Sequence, residues 1–358
     1  LHTIHHSSEY YNFSTALRQA AIQDAGLAIY DVIQAPFIPP PIFLVHRYFS
    51  EIFQFVMHTS LVGSCGPLGL LFNTPSHHRV HHGRNPYCID KNYGGVFIIW
   101  DRMFNTFEPE RPEDPPIYGL ITNEGTFNQL WLQFHTLIYI LCFKAWEKDE
   151  KGEPQFRGFV EKLKASFYPP GWYPGVETVS FFHWKSLVDP SHGVPQVSFP
   201  VIKYNPPLSI WLKTYVFGHF VLLLAIFFHF EYDRNHLSYV DFTCKIAFFV
   251  VSMQTFGSFF DRRWFSPLLE ILRCVGVLSY YSLLMLDPIG PRPHRIFTTT
   301  LFSVSSLIMT AYGLQEYISK RRIRPNEDEK NGSISMSDRP SLEKSDSVGG
   351  DGPFSRNL

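Results

Sequence analysis

Between residues 208 and 314 the chain carries four apolar blocks, at about 208–230, 241–260, 267–286 and 296–314, joined by short polar links. A helix needs roughly 20 apolar residues to cross the hydrocarbon core of a bilayer, and each block approaches that length. None shows the polar face that a soluble amphipathic helix keeps toward water. The pattern therefore predicts an all-α fold, a multi-pass membrane helical bundle. Aromatic residues make up 16% of the chain, 34 of them Phe, as bilayer and interface segments commonly do.

Loop charge sets the expected orientation. With all four blocks spanning, the links near 231–240 and 287–295 share one side and carry Arg234, Arg292 and Arg295. The other side holds Arg262, Arg263, Lys320, Arg321, Arg322 and Arg324, together with a stretch that includes Lys144, Lys148, Lys151, Lys162, Lys164 and Lys185. The richer side is expected in the cytosol. That places the C-terminal tail and everything before residue 208 there.

The organisation follows. Residues 1–120 form a polar, histidine-bearing region, and 121–207 an interfacial helix with a cytosolic loop region. Residues 208–316 hold the transmembrane helices, and 317–358 a basic flank with a tail too polar to order itself. Within the first region, Gly26 to Met57 is largely apolar and is broken by Pro36 and the Pro39-Pro40-Pro41 run, which predicts two helical pieces with a bend. A net charge of −1 gives no electrostatic footprint for nucleic acid. Five widely spaced cysteines, none in a C-x-x-C pair, argue against a disulfide framework.

Two clusters carry the chemistry. His2-Thr3-Ile4-His5-His6 and His78-Arg79-Val80-His81-His82 both read H-x-x-H-H. On a helix, positions i, i+3 and i+4 share a face, so each box is expected to aim three imidazoles at one metal centre. With 16 histidines in the chain, two such triplets by chance are improbable. A structural zinc site is a closed set of four ligands, often with cysteine; here no cysteine lies in either box and at least six histidines are on offer. An all-nitrogen, two-metal centre is the economical reading. Imidazole alone does not separate iron from zinc.

The flanks extend the pattern. After the second box come Asn92-Tyr93-Gly94-Gly95 and Trp100-Asp101-Arg102-Met103-Phe104-Asn105-Thr106-Phe107. With the boxes they resemble the fatty acid hydroxylase/sterol desaturase superfamily of membrane di-iron enzymes. The runs His5 to Gln19 and Asn73 to Pro86 are similar to the superfamily's ether-lipid-cleaving branch. That resemblance implies a cytosol-facing histidine-box di-iron domain in the endoplasmic reticulum membrane. It implies iron and tetrahydrobiopterin as cofactors, and O2 and an alkylglycerol ether lipid as substrates. The products would be a fatty aldehyde and glycerol. It makes His2, His5, His6, His78, His81 and His82 metal ligands. His58 matches a further ligand position, and Tyr93 a residue lining the catalytic site. His77 is expected to orient a ligand or to lie exposed. The superfamily's earlier H-x-x-x-H box and the glutamate tied to pterin use are missing from a chain that opens at Leu1. The polypeptide is therefore expected to be the later part of a longer protein, binding iron weakly by itself and lacking activity.

Other readings are a fatty-acyl or sterol hydroxylase or desaturase fed by cytochrome b5, and a non-catalytic multi-pass membrane protein.

Overall fold

The computed structural model describes residues 2–149, 151–168, 172–175, 194–284 and 293–332. The chain divides into two compact units. Among the described residues, one comprises those up to 126 and from 130 to 204; the other comprises residues 127–129 and those from 205 to 332. Among the described residues the fold is helical, with isolated bridge pairs and no strand.

The first unit begins with two single-turn helices, α1 (Thr3–His6) and α2 (Phe13–Ala16). Asn12 starts α2 in a capping box, its side chain accepting from Ser14 and the Thr15 hydroxyl from the Asn12 backbone. This satisfies amides that a helix start would otherwise leave orphaned. Next come α3 (Gln23–Gln34) and α4 (Pro40–Met57). The break between them falls at the prolines, and Pro40 at the first position of α4 loses no helical hydrogen bond. The second histidine box lies on α5 (Pro75–His81), capped by Thr74 and opened by Pro75. After α6 (Ile99–Phe104), α7 (Gln129–Ile138) runs into a π turn over Tyr139–Phe143, and α8 (Phe159–Phe167) follows. Ile4, Ala20 and Leu132 pack as one small core, and Ala145, Phe156, Ala165 and Trp172 as another.

The second unit contains α9 (Ile210–Asp233), α10 (Tyr239–Phe260), α11 (Ser266–Leu284) and α12 (Pro293–Gly332). Three stretches, Ile210–His236, Tyr239–Phe260 and Arg295–Ser319, are long and apolar enough to cross a membrane. The remaining expected block, α11, is the shortest of the four helices and carries Glu270 and Arg273. The expected block there, 267–286, runs beyond the described residues. The Glu270 and Arg273 side chains are both buried and paired at 2.6 Å. A core of Leu212, Val216, Leu223, Phe256, Phe259 and Met309 joins three of these helices. α12 continues to Gly332, past the point where a disordered tail is expected. The rest of that expected tail, with Lys185 and Arg292 of the charge argument and His183 and His192, lies outside the described residues.

Candidate metal centre

The box helices are pinned from several directions. Arg79, on the flank of α5 beside the box, donates to Glu110 at 2.6 and 2.8 Å and to the carbonyls of Thr59 and Val62 at 3.0 and 2.8 Å. It thereby ties α5 to the chain leaving α4. Buried Asn92, in the left-handed region at φ 53°, donates to the carbonyls of His77 and Glu108 and accepts from the Glu108 amide. Buried Asp101 accepts from the amides of Tyr93 and Gly94 and from the Thr106 hydroxyl, at 2.7–2.8 Å. A Cβ on Gly94 would collide with the Phe97 carbonyl oxygen, so only glycine fits there. The N-Y-G and W-D-x-x-F-x-T-F elements are thus a scaffold for the loop beside the second box. The first box is held by the Arg18 guanidinium, which donates to the Ile4 carbonyl at 3.0 Å.

Within this frame the seven histidines singled out by sequence fall into two groups. His5, His58, His78 and His82 form one, and all four are buried. His2, His6 and His81 form the other, exposed to half-buried. In each group the candidate ligand atoms lie within 4.8 Å of one another. The expectation that each box aims three imidazoles at one centre is corrected. The first box sends His5 to the buried group and His2 and His6 to the open one; the second sends His78 and His82 to the buried group and His81 to the open one. The reason is local. In each box the first and last histidines, four residues apart and only about 40° apart around a helix, share one group (His2 with His6, His78 with His82), and the middle one, about 100° from its sequence neighbour, goes to the other.

The buried group fits a cation. His58 Nε2 lies 3.2 Å from His5 Nε2, 3.1 Å from His82 Nε2 and 3.2 Å from His78 Nε2. His58 Nδ1 meets the Gln54 carbonyl at 2.7 Å. A carbonyl only accepts, so Nδ1 carries the proton and Nε2 presents a lone pair. His81 repeats the device, its Nδ1 facing the Lys91 carbonyl at 3.1 Å. A carbonyl behind a ligating histidine fixes its tautomer and ring orientation in this way. A single N–H from one neighbour can satisfy that lone pair, but the remaining nitrogens then crowd lone pair against lone pair, and a positive ion among them relieves this. The Nδ1 atoms of His5 and His78 are buried without a hydrogen-bond partner. Burial, with added repulsion from neighbouring imidazoles, pushes His5 down to about 3 and His78 and His82 well below the ordinary histidine value. The rings are therefore neutral, the form that binds metal. An all-imidazole set suits iron, copper, zinc or nickel, so a buried iron site fits these residues.

Both groups open onto a cavity of about 1490 Å³. Tyr93 lines it, half exposed, its hydroxyl donating to Asp90 at 2.8 Å and its ring 6.0 Å from that of His81. Tyr11 stacks between His58 and Tyr118 and donates to the Met57 carbonyl at 2.9 Å. No sequence motif singled out that buttress. His77 belongs to neither group and packs edge-on against Phe107. His219 lies buried in the second unit, bonded to Ser305 and Arg273. The residues missed by sequence are the polar ones of α4, among them Arg47, Ser50, Glu51 and Gln54, which also line the cavity. Their signal was available as a helical stripe inside a stretch that reads as apolar.

Residues 1–106 match the family model described as fatty acid hydroxylase, and residues 212–299 that of the alkylglycerol monooxygenase C-terminal domain. The alkylglycerol monooxygenase of Caenorhabditis elegans is 69% identical over 320 residues, which cover 89% of this chain and 63% of that protein. The Homo sapiens alkylglycerol monooxygenase is 39% identical over 83% of this chain and 62% of its own length. That of Xenopus tropicalis is 38% identical over 90% of this chain and 67% of its own length. The chain thus spans a little over three fifths of the worm and human relatives. No solved structure matches it. With both models matched in order, and such identity over most of its length, this chain belongs to the alkylglycerol monooxygenase family.

Proposed function

We propose that the protein is a membrane-embedded, di-iron, tetrahydrobiopterin-dependent monooxygenase that opens the ether bond of alkylglycerol lipids. The observation that carries this reading is the pairing of two histidine groups, one buried and one open, at a single large cavity in a chain of this family.

His5, His58, His78 and His82 would hold the inner iron, and His2, His6 and His81 the outer one. Two irons held there would supply the O2 chemistry. The protein's own part is position and dryness. The main-chain carbonyls of Gln54 and Lys91 aim the Nε2 atoms of His58 and His81. The three-histidine group, with fewer protein ligands, would leave its metal accessible to substrate from the cavity, as catalytic metal sites are. Apolar side chains such as Leu17, Ile42 and Phe43 line the cavity and suit an alkyl chain. Tyr93 stands at the edge of the open group.

The overall change is insertion of one oxygen atom into the C–H bond next to the ether oxygen. The second atom leaves as water, with two electrons taken from the pterin. The hemiacetal then breaks its C–O bond to give fatty aldehyde and glycerol. No described residue is assigned to the pterin, and no step depends on where it sits. We place the protein in the endoplasmic reticulum membrane, as the resemblance implies, with the histidines and C-terminal tail cytosolic; that common side requires α11 to cross along with the three apolar stretches.

The test is aldehyde release from an alkylglycerol by membranes expressing the full-length protein, with and without tetrahydrobiopterin. Pterin-dependent aldehyde that is lost in His78→Ala supports the reading. No aldehyde from iron-loaded protein overturns it in favour of an acyl or sterol hydroxylase fed by cytochrome b5.

A further inference from the structure

α4 carries a polar stripe beside an exposed apolar side. Val45, Phe49, Ile52 and Val56 are about half to two-thirds exposed on its outer side. Arg47, Ser50, Glu51 and Gln54 line the cavity along with apolar residues of the same helix, Glu51 at its open mouth with 56% of its side chain accessible. These four recur at i, i+3, i+4 and i+7, a single helical face, and the face ends one turn later at His58. Gln54 is about 6 Å from His58 along the axis, and Glu51 about 10 Å, at 1.5 Å per residue. The cavity wall continues with Tyr93 and, against Gln54, Gly95. A Cβ on Gly95 would come within 3.2 Å of the Gln54 amide nitrogen, so the glycine lets the loop close against that side chain.

We propose that this face, with Gln54 and Glu51 at its centre, is the head-group subsite of the cavity and binds the vicinal hydroxyls of a neutral glycerol ether. The inference rests on the function proposed above and gives it a specificity element. The chemistry of the face selects the ligand class. Glu51 accepts, Gln54 and Ser50 both donate and accept, and the Gln54 amide already donates to the Ser50 hydroxyl at 3.0 Å. Arg47 pairs with Glu51 at 3.1 Å, so the stripe carries no net charge of its own. A neutral row of donors and acceptors matches a diol, whose hydroxyls do both, better than it matches a phosphate. Its place one turn from His58 sets the hydroxyls beside the histidine groups. The carbon adjoining the ether oxygen then lies where the metal ligands converge.

Equilibrium binding tests this without catalysis. Radiolabelled 1-O-hexadecylglycerol and the same ether lacking both hydroxyls are titrated onto the full-length protein in detergent. The parent is expected to prefer the diol by at least about tenfold beyond detergent partitioning, the worth of one or two net hydrogen bonds. Gln54→Ala and Glu51→Ala should lose most of that preference. Alanine is the best helix former, so α4 keeps its shape, and an unchanged melting temperature verifies this. Glu51→Gln, which keeps an acceptor, should retain the preference within about threefold. A parent with no diol preference, alanine variants that keep it in full, or displacement of the diol by tetrahydrobiopterin would each overturn the subsite. A diol preference without aldehyde release would leave the subsite standing and remove the catalytic reading. Aldehyde release without a diol preference would do the reverse.

Discussion

His58 gives its Nδ1 proton to the Gln54 carbonyl one turn earlier on α4 and turns its Nε2 lone pair toward His5, His78 and His82 at 3.1–3.2 Å. One helix thus supplies both a central imidazole and the acceptor that orients it. His58→Ala is expected to empty the buried group and, by loosening His5 and His82, to weaken the open one. Metal analysis of the purified variant checks this. Retention of the parent's metal content would remove His58 from the centre.

Asp101 is buried and accepts three hydrogen bonds from the Tyr93 loop and Thr106. Asp101→Ala leaves buried donors unpaired, at about 1–3 kcal/mol apiece. We expect a melting temperature several degrees lower and reduced metal retention, because the loop shelters the second box. A variant as stable as the parent would show that the loop does not depend on this carboxylate.

The Arg79–Glu110 clamp predicts a pH signature. Burial raises the Glu110 carboxyl, but hydrogen bonds from Arg79 and Ser76 outweigh it and hold the group below its ordinary value of 4.5. A lowered folded-state value contributes stability above the unfolded value and loses it as pH falls through the folded one. Glu110→Gln should therefore melt below the parent at pH 7, with the gap narrowing below about pH 4.5. A gap independent of pH would assign the effect to packing.

In the second unit Arg273 donates twice to Glu270 and once to His219, and three phenylalanine rings surround its guanidinium. Removing one member of a buried pair strands the other charge and costs about 3–5 kcal/mol, whereas replacing both by apolar residues is often tolerated. Arg273→Met should sharply reduce folded protein in membranes, and Glu270→Leu/Arg273→Met should restore much of it. Equal loss in single and double variants would mean that the pair is needed for more than charge balance.

How far the sequence was legible depended on how local each signal was. The two H-x-x-H-H boxes announce themselves because chance hardly produces them, and they led to all seven clustered histidines once His58 was added by resemblance. Their division between two groups was not legible. It depends on how the two boxes face each other, so that the middle histidine of each joins the outer pair of the other, His5 with His78 and His82, and His81 with His2 and His6. The prolines at 36 and 39–41 marked the α3–α4 break, since proline lacks the amide that a continuing helix needs. The polar stripe of α4 was missed because its residues are diluted by Phe, Ile and Val facing outward. In a soluble helix such a stripe would simply mark the solvent side, and only the cavity shows that here it bounds the site. Glu270 and Arg273 sat in a block read as apolar; the sequence shows both charges but not that they meet each other and His219.

The central claim is that two metal ions are held by histidines shared between the boxes. The most direct measurement is metal content per chain of the full-length protein purified in detergent, for the parent, for His2→Ala/His6→Ala and for His78→Ala/His82→Ala. The account predicts two irons per chain in the parent. It predicts about one after the first pair of substitutions, which strips the open group, and the same or less after the second, which strips the buried one. One ion per parent chain, or two ions untouched by either pair, would contradict it.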